Sequence, residues 1–166
     1  MTGNVQTDQF LRLLEANIGI ILKIAGAYSR SDQDKEDLIN DIVLELWKSF
    51  ESFRGDSKIS TWIYRVALNT SMNFNRKKER DKLIFSGEMR KTDFPEWISI
   101  PDDKSDVDIL YQCIDELNQL NKAIILLYLD GNSYEEISAI TGISKTNVGT
   151  RIGRIKEQLK TLANLK

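Results

Sequence analysis

Aromatic, basic and amide side chains alternate along FRGDSKISTWIYRVALNTSMNFNRKK, residues 53–78, a stretch that otherwise has the pattern of a helix. Packing alone does not need so many amides, and binding to a duplex backbone does not need the aromatics. Unpaired nucleic-acid bases suit this mixture, because aromatic faces replace lost stacking at about 1–3 kcal/mol per base while cations hold the backbone. Amides and hydroxyls can read the edge of a base that has left the stack. For Trp62 the alternative is core packing.

A second pattern lies near the C-terminus, in DGNSYEEISAITGISKTNVGTRIGRIKEQLK. Ser133 and Glu136 form an S-x-x-E capping box that opens a short helix, and Gly142 supplies a left-handed residue that ends it. Ser144 then caps a second helix, and two helices joined by a short glycine turn are typical of a helix-turn-helix. The apolar stripe of the second helix is Val148, Ile152, Ile155 and Leu159.

The second helix of such a motif enters the major groove near its N-terminal end. Asn and Arg suit base edges, whereas Lys and Thr suit phosphates. The candidate duplex-binding residues are Ser144, Lys145, Thr146, Asn147, Thr150, Arg151 and Arg154. The alternative is a helical hairpin with a basic outer face. Gly149 and Gly153 weaken the helix by about 1 kcal/mol each, and they permit close approach either to DNA or to another helix.

Charge is arranged in blocks behind a net charge of −2. Residues 30–51 hold three basic and seven acidic residues, and residues 54–82 hold eight basic and three acidic ones. The alternation recurs, with one basic and six acidic residues in 108–136 and six basic and one acidic in 143–166. Two basic blocks separated by acidic ones suggest two nucleic-acid surfaces. Solvated helix faces are the alternative explanation for any one block.

Composition excludes several classes of protein. The chain has 166 residues, enough for one ordinary domain or two small ones. With one cysteine and no histidine, it has no disulfide framework, zinc cluster or histidine-dependent triad. No apolar run is long enough to cross a membrane, and no signal peptide is expected at the N-terminus. An enzyme built only on carboxylates or lysines is a distant alternative, but nothing points to one, and we expect no catalytic residue, metal or cofactor.

Periodicity predicts an all-α protein of two small helical domains. Helices are expected at residues 10–28, 35–50, 60–78, 107–117, 121–129, 133–141 and 144–163. Ser60 is expected to cap the third helix. The helical pattern fails at residues 81–106, between the third and fourth predicted helices. Both prolines lie there among acidic residues, which predicts a flexible linker. The predicted divisions are residues 1–80, a linker at 81–106, and residues 107–166. The apolar side of the first helix is expected at Leu11, Leu14, Ile18, Ile21, Leu22 and Ala25.

Two segments in the same order resemble the bacterial RNA polymerase sigma factors of the sigma-70 family. They are EDLINDIVLELWKSFESFRGDSKISTWIYRVALNTSMNFNRKK and LNQLNKAIILLYLDGNSYEEISAITGISKTNVGTRIGRIKEQL. The chain is most similar to the extracytoplasmic-function (ECF) group, which keeps only regions 2 and 4. It departs from the family's usual residues at Asn40, Asp41, Ser138, Asn147 and Gly149. A basic residue is common in the family where Gly149 stands.

The resemblance implies a role for each surface. Region 2 would recognise and melt the minus-ten promoter element, with the loop at residues 53–58 helping to form a pocket for one extruded base. Region 4 would bind the minus-thirty-five element through the helix-turn-helix. The implied minus-ten residues are Phe53, Lys58, Trp62, Tyr64, Arg65, Asn69, Asn73, Arg76 and Lys77.

The acidic second helix calls for a protein partner, because its charge repels phosphate. The resemblance implies docking on the clamp helices of the largest subunit of core RNA polymerase through Asp37, Asn40, Asp41, Leu44 and Trp47. It also implies that the surface around residues 124–129 docks on the flap of the second-largest subunit. An anti-sigma factor is a further partner known for many relatives. No membrane insertion is expected, and the expected location is the cytoplasm.

The predicted function is therefore that of a transcription initiation sigma factor. Two alternatives stay open at this point. A stand-alone helix-turn-helix regulator would bind duplex DNA tightly without polymerase, whereas a sigma factor binds weakly until polymerase is added. An adaptor would bind polymerase without reading promoters, and charge reversal at Arg151 and Arg154 would leave its activity unchanged.

Overall fold

The structure is a computed structural model that describes residues 2–85 and 106–165. Within these two ranges the regular structure is entirely helical, which confirms the predicted all-α class. The helices are α1 (Thr2–Tyr28), α2 (Asp32–Phe50), α3 (Ile59–Phe85), α4 (Asp106–Asp115), α5 (Gln119–Leu129), α6 (Tyr134–Thr141) and α7 (Lys145–Asn164). Over the same residues, no helix combines the length and apolar character needed to span a membrane.

Contacts divide the chain into two compact units, Met1–Lys78 and Glu79–Lys166, and each is described by itself. The predicted linker falls largely outside the described residues, which stop at 85 and resume at 106. Its first residues, 81–85, form the last turn of α3.

The N-terminal unit is built on the contact between α1 and α2. Periodicity predicts an apolar stripe of Leu38, Ile42, Leu46 and Phe50 in α2; the first three are inaccessible to solvent, whereas Phe50 is half-buried. Ser31 caps this helix, because its hydroxyl accepts a hydrogen bond from the Asp34 backbone N–H at 3.1 Å. Such a cap stabilises a helix by about 1 kcal/mol. It also explains why α2 begins three residues before the predicted start.

The stripe predicted for α1 lies partly on the wrong side of the helix. Leu11, Ile18 and Leu22 are exposed, whereas Ile21 and Ala25 are buried as expected. The buried side also includes Phe10, Ile24 and Tyr28. α1 is apolar over much of its circumference, so periodicity alone could not tell which flank meets α2.

α3 begins and ends differently from its prediction. Its first hydrogen bond runs from the Trp62 N–H to the Lys58 carbonyl at 3.1 Å, so the helix starts at Ile59. Ser60 is thus inside the first turn, and the prediction that it caps the helix is wrong. The helix continues to Phe85, beyond the predicted end at residue 78. Near that predicted end, the Lys78 ammonium forms an ion pair with Asp34 of α2.

The C-terminal unit packs α4, α5 and α6 against α7. Its helix-turn-helix confirms the sequence prediction in detail. The Ser133 hydroxyl accepts from the Glu136 N–H at 3.1 Å, and the Glu136 carboxylate accepts from the Ser133 N–H at 2.8 Å. Gly142 has a φ of 78°, the left-handed value that favours glycine. The expected stripe of α7, which comprises Val148, Ile152, Ile155 and Leu159, is buried.

Candidate nucleic-acid interfaces

The outward face of α7 is the first candidate interface. Ser144 caps the helix, and its hydroxyl accepts from the Asn147 N–H at 3.3 Å. Because the apolar stripe is held against α4, α5 and α6, the opposite side of the helix is left to solvent. The predicted duplex-binding residues that lie exposed are Ser144, Lys145, Thr146, Asn147, Thr150 and Arg154.

Arg151 is placed differently from the other predicted residues on α7. It is half-buried, and its Nη1 donates a hydrogen bond to Asn121 Oδ1 of α5 at 3.1 Å. An open hollow of about 300 Å³ is lined by Asn121, Asn147, Thr150, Arg151 and Arg154. Sequence reasoning missed Asn121, because no local pattern shows that a residue thirty positions earlier meets Arg151.

At the start of α7 one cation has an acidic partner. Lys145 Nζ lies 2.7 Å from Glu135 Oε1, and both side chains are exposed. The hydrogen bond from Lys145, together with its positive charge, lowers the pKa of the Glu135 carboxyl below its usual value. Lys145 therefore has to exchange an intramolecular carboxylate for any phosphate that it binds.

The two glycines of α7 have different surroundings. A Cβ added at Gly149 would lie 3.3 Å from Cε2 of Tyr134, so this glycine lets the first residue of α6 pack closely against α7. A Cβ at Gly153 would meet nothing within 4 Å. Of the two explanations for the glycines, approach to another helix therefore accounts for Gly149, and Gly153 faces open space.

An aromatic and basic pair lies beside this contact. Lys156 Nζ sits 4.6 Å from the centre of the Tyr128 ring and donates to its hydroxyl at 3.0 Å. That hydrogen bond raises the pKa of Lys156. In the surface predicted to dock on the flap, Ile124, Ile125 and Leu127 are core residues, because α5 packs on α6 and α7. Leu129 remains exposed.

The second candidate interface follows one side of α3. Arg65, Asn69, Asn73 and Lys77 recur every four residues and are exposed, so they share one face of the helix. Arg76 is exposed beside them, and Lys58 is exposed at the start of the helix. This row of amide and basic side chains is called the α3 polar row below, and it comprises Arg65, Asn69, Asn73, Arg76 and Lys77.

Trp62 and Tyr64 do not belong to that exposed surface. They are only 8% and 7% exposed, and residues 61–64 are all buried. Four consecutive buried residues cover the whole circumference of a helix, so α3 is enclosed on all sides at residues 61–64, although Ile59 before them is exposed. The two rings are therefore part of the core, which corrects the expectation that they present open stacking faces. Phe53 is half-buried, and its ring stacks on Trp62.

α2 presents acidic and apolar side chains together. Asp37, Asn40 and Asp41 are exposed, as predicted from their spacing. Leu44 is 49% exposed and Trp47 is 39% exposed, which is high for large apolar side chains. The rings of Trp47 and Phe10 pack at an interplanar angle of 67° with centres 5.0 Å apart. This surface suits a protein partner, since its carboxylates repel phosphates and its apolar groups gain from burial.

Among the described residues, no group of three potential metal ligands comes together. The surfaces described above can recognise a partner through hydrogen bonds, charge and apolar contact. Comparison with known proteins agrees with this description. The family model for Sigma-70 region 2 matches residues 13–81, and the model for Sigma-70 region 4 matches residues 108–159.

Relatives of known function extend the match along most of the chain. The ECF RNA polymerase sigma-E factor of Escherichia coli K12 is 31% identical over 152 residues, which cover 82% of this chain and 78% of the relative. The sigma-E factor of Haemophilus influenzae is 32% identical over 154 residues, covering 83% and 80% respectively. The chain belongs to the ECF sigma factors. It is thus a transcription initiation factor that binds core RNA polymerase and directs it to promoters, in a family whose members are in general not enzymes.

Two solved structures, one of them of a sigma factor, share the fold. RpoE of Bartonella quintana, in complex with the anti-sigma factor NepR, superposes with a TM-score of 0.70 at 21% identity, covering 96% of this chain and 97% of that one. CnrH, in complex with the cytosolic domain of CnrY, gives a TM-score of 0.69 at 19% identity, covering 96% and 90%. The resemblance predicted from the sequence is therefore confirmed for both the family and the fold.

Proposed function

We propose that this sigma factor divides its work between its two units. Residues 1–80 would dock on polymerase and open the minus-ten element, residues 107–166 would bind the minus-thirty-five element, and residues 81–106 would connect them. The observation that carries this proposal is that one small unit presents two surfaces of opposite character. α2 is acidic and apolar, which suits protein, and α3 carries a polar row that suits nucleic acid.

In the C-terminal unit, α7 would lie in the major groove of the minus-thirty-five element. Recognition helices read bases mainly with residues near their N-terminal end. Asn147 and Arg154 have donors for base edges, while Lys145, Thr146 and Thr150 suit phosphates. Their exposure on one side of a helix with a fixed apolar back supports this arrangement.

In the N-terminal unit, the α3 polar row would hold the unpaired strand of the minus-ten element. Arg65, Asn69 and Asn73 have the donors and acceptors to read base edges, and Arg76 and Lys77 would hold phosphates. Phe53 and Lys58 would contribute from the loop before the helix. Trp62 and Tyr64 would support these contacts from within the core.

Docking on polymerase is assigned to α2. Asp37, Asn40 and Asp41 would meet the clamp helices of the largest subunit, with Leu44 and Trp47 as apolar contacts. Within residues 124–129 of the C-terminal unit, Leu129 is the exposed apolar residue, and it would meet the flap. Tethering two weak DNA-binding units through one enzyme raises their effective concentration, so neither needs high affinity alone.

Two further assignments rest on the same proposal. Polymerase and promoter DNA meet in the cytoplasm, which is where this protein would act. The two similar solved structures are complexes with an anti-sigma factor or with a cytosolic protein domain. An inhibitor of that kind, covering one of the surfaces described above, is proposed as a partner.

Reconstituted transcription tests the proposal. The purified chain is added to sigma-free core polymerase on genomic DNA, and new RNA start sites are mapped. We expect starts that share one sequence near minus-ten and another near minus-thirty-five. Asp41→Lys should reduce core binding, and Arg154→Glu should leave core binding intact while abolishing these starts. Tight duplex binding without polymerase would instead indicate a stand-alone regulator, and core binding without new starts would indicate an adaptor.

A further inference from the structure

The contact between Asn121 and Arg151 joins the first turn of α5 to the DNA-facing helix. Both the backbone and the side chain of Asn121 form hydrogen bonds. Its backbone N–H donates to Asn118 Oδ1 at 2.8 Å, and its side-chain oxygen accepts from Arg151 Nη1 at 3.1 Å. A guanidinium carries donors and no acceptor, so the amide oxygen of Asn121 must be the atom that faces it. The amide NH2 group of Asn121 then points away from Arg151.

That NH2 group is left with two donors. Over the described parts of the chain, no hydrogen-bond partner is found for it, although the side chain is only half-exposed. Asn121 lines the hollow beside α7 together with Asn147, Thr150, Arg151 and Arg154. None of the five is acidic, and two of them are guanidinium groups. The hollow therefore has a surplus of donors and of positive charge.

Such a surplus fits one part of DNA better than another. Base pairs show both donors and acceptors in the major groove, whereas a phosphodiester shows acceptors only and is negatively charged. Guanidinium groups also match phosphate geometry, since their N–H donors lie in one plane as a fork that can bind two phosphate oxygens at once. Arg151 lies about 100° around α7 from the outward Thr150, on the flank facing α5. This flank would meet the wall of the groove, where the phosphates are.

We propose that Asn121 and Arg151 together bind one backbone phosphate of the minus-thirty-five element. In this phosphate site, the Asn121 oxygen fixes the guanidinium of Arg151, and the Asn121 NH2 and the remaining Arg151 donors face the same phosphate. The site rests on the proposed function of the C-terminal unit. It changes the role expected for Arg151 from base reading to sequence-independent positioning, and it adds α5 to the DNA-binding surface.

The test uses the full chain assembled with core polymerase, on a promoter found by start-site mapping. Binding is measured with DNA in which each minus-thirty-five phosphate in turn is replaced by an uncharged methylphosphonate. The wild-type complex should lose about tenfold in affinity at one of these positions. Asn121→Ala and Arg151→Ala should bind unmodified DNA about tenfold more weakly and lose most of their sensitivity at that same position. Asn164→Ala, which removes an exposed amide from the last turn of α7, is the matched control and should behave as wild type.

Asn121→Asp separates this site from a purely structural contact. Aspartate keeps an acceptor for Arg151, and an acid in the first turn of α5 favours the helix, so the fold is retained. It lacks the two donors and brings a negative charge to the phosphate. We expect it to bind DNA more weakly than Asn121→Ala does. Binding equal to wild type or tighter would overturn the proposal, because it would show that Asn121 serves only to hold Arg151.

Two other results would also overturn it. One is unchanged methylphosphonate sensitivity in Asn121→Ala, and the other is a changed order of preference among minus-thirty-five base variants, which would indicate base reading. The proposed function fails in a distinguishable way, since the wild-type complex would then leave the minus-thirty-five region unprotected in footprinting.

Discussion

The ring of Phe53 stacks on the ring of Trp62, with centres 4.7 Å apart and planes inclined by 24°. Trp62 also lies 6.5 Å from Phe50 at the end of α2. A residue of the loop before α3 is thereby held against a core side chain. The loop is positioned by the core, and its half-buried Phe53 is available at the surface beside Lys58. Because offset stacking of this kind adds about 0.5–1.5 kcal/mol beyond burial, the pair fixes the loop as well as filling space.

Trp62→Ala should destabilise the N-terminal unit strongly. Removing a large buried aromatic side chain costs about 3–5 kcal/mol, through lost burial and the cavity that remains. Urea unfolding followed by near-UV circular dichroism measures the change. Trp62→Phe should reduce the free energy of unfolding much less. Trp47→Ala, which removes a more exposed ring, is the matched comparison. A Trp62→Ala protein with wild-type stability and defective promoter melting would show that the ring acts on DNA directly.

The α3 polar row should act on DNA with little effect on stability. We expect the double variant Arg65→Ala, Asn69→Ala to reduce the permanganate reactivity of promoter thymines at least tenfold, because each base edge left without its hydrogen-bond partner costs about 1–3 kcal/mol. Its urea midpoint should match that of wild type. Arg12→Ala, which removes an exposed cation from α1, should leave the bubble unchanged. Normal thymine reactivity in the double variant would show that these side chains of α3 are not needed for promoter melting.

The ion pair between Glu135 and Lys145 predicts an acid-range pH dependence. Lys145 lowers the folded-state pKa of Glu135, so the pair stabilises the fold above the unfolded-state pKa. That contribution is lost as the pH falls through the lower folded-state pKa. It should be small and weakened by salt, since both groups are exposed. Carboxyl NMR titration measures it, and Lys145→Met should return the pKa of Glu135 to its usual value.

The same pair has a consequence for DNA binding. Glu135→Gln should strengthen binding to the minus-thirty-five element at neutral pH, because it releases Lys145 and neutralises the α6 carboxylate that faces the start of α7. The gain should be about twofold to fivefold at moderate salt and should shrink as salt is raised. If Glu135→Gln and wild type bound equally at low salt, Lys145 would not be a phosphate contact.

Gly149 and Gly153 form an internally controlled pair. Gly153→Ala should stabilise the C-terminal unit by about 1 kcal/mol, since alanine favours a helix and its methyl group meets nothing. Gly149→Ala should stabilise the unit less than Gly153→Ala does, or destabilise it, because the added Cβ would lie 3.3 Å from the ring of Tyr134. Thermal unfolding of the two variants measures the difference. Adding Tyr134→Leu should recover the gain at position 149, and a failure to recover it would show that another neighbour sets the limit.

Local features were predictable from the sequence. The capping box of α6, the left-handed Gly142 and the apolar stripe of α7 each depend on residues within a few positions of one another, and the structure confirms all three. The division into helices was predictable for the same reason, although α1 begins eight residues earlier than predicted and α3 ends seven residues later. The exposure of most predicted duplex-binding side chains on α7 was also predictable, because the outward face of a helix is known once its buried stripe is known.

Features that depend on distant contacts were not predictable. Trp62 was interpreted as either core or surface, and only the packing of α2 and the loop around α3 decides the matter. The exposed flank of α1 was misassigned because Leu11 and Leu22 are as apolar as the residues that are buried. Asn121 was overlooked because its partner lies on another helix. In each case the deciding neighbour is far away in the chain.

The ion pair between Lys78 and Asp34 bears on how this protein responds to ionic strength. A cation that neutralises a DNA phosphate releases condensed counter-ions, so the logarithm of the affinity falls with the logarithm of the salt concentration, by about 0.7 per contact for single strands. The run Arg76, Lys77, Lys78 suggests three such contacts. With Lys78 already paired with Asp34 of α2, the end of the α3 polar row would contribute two under the proposed function, and we expect that part of the complex to tolerate salt better than its sequence implies.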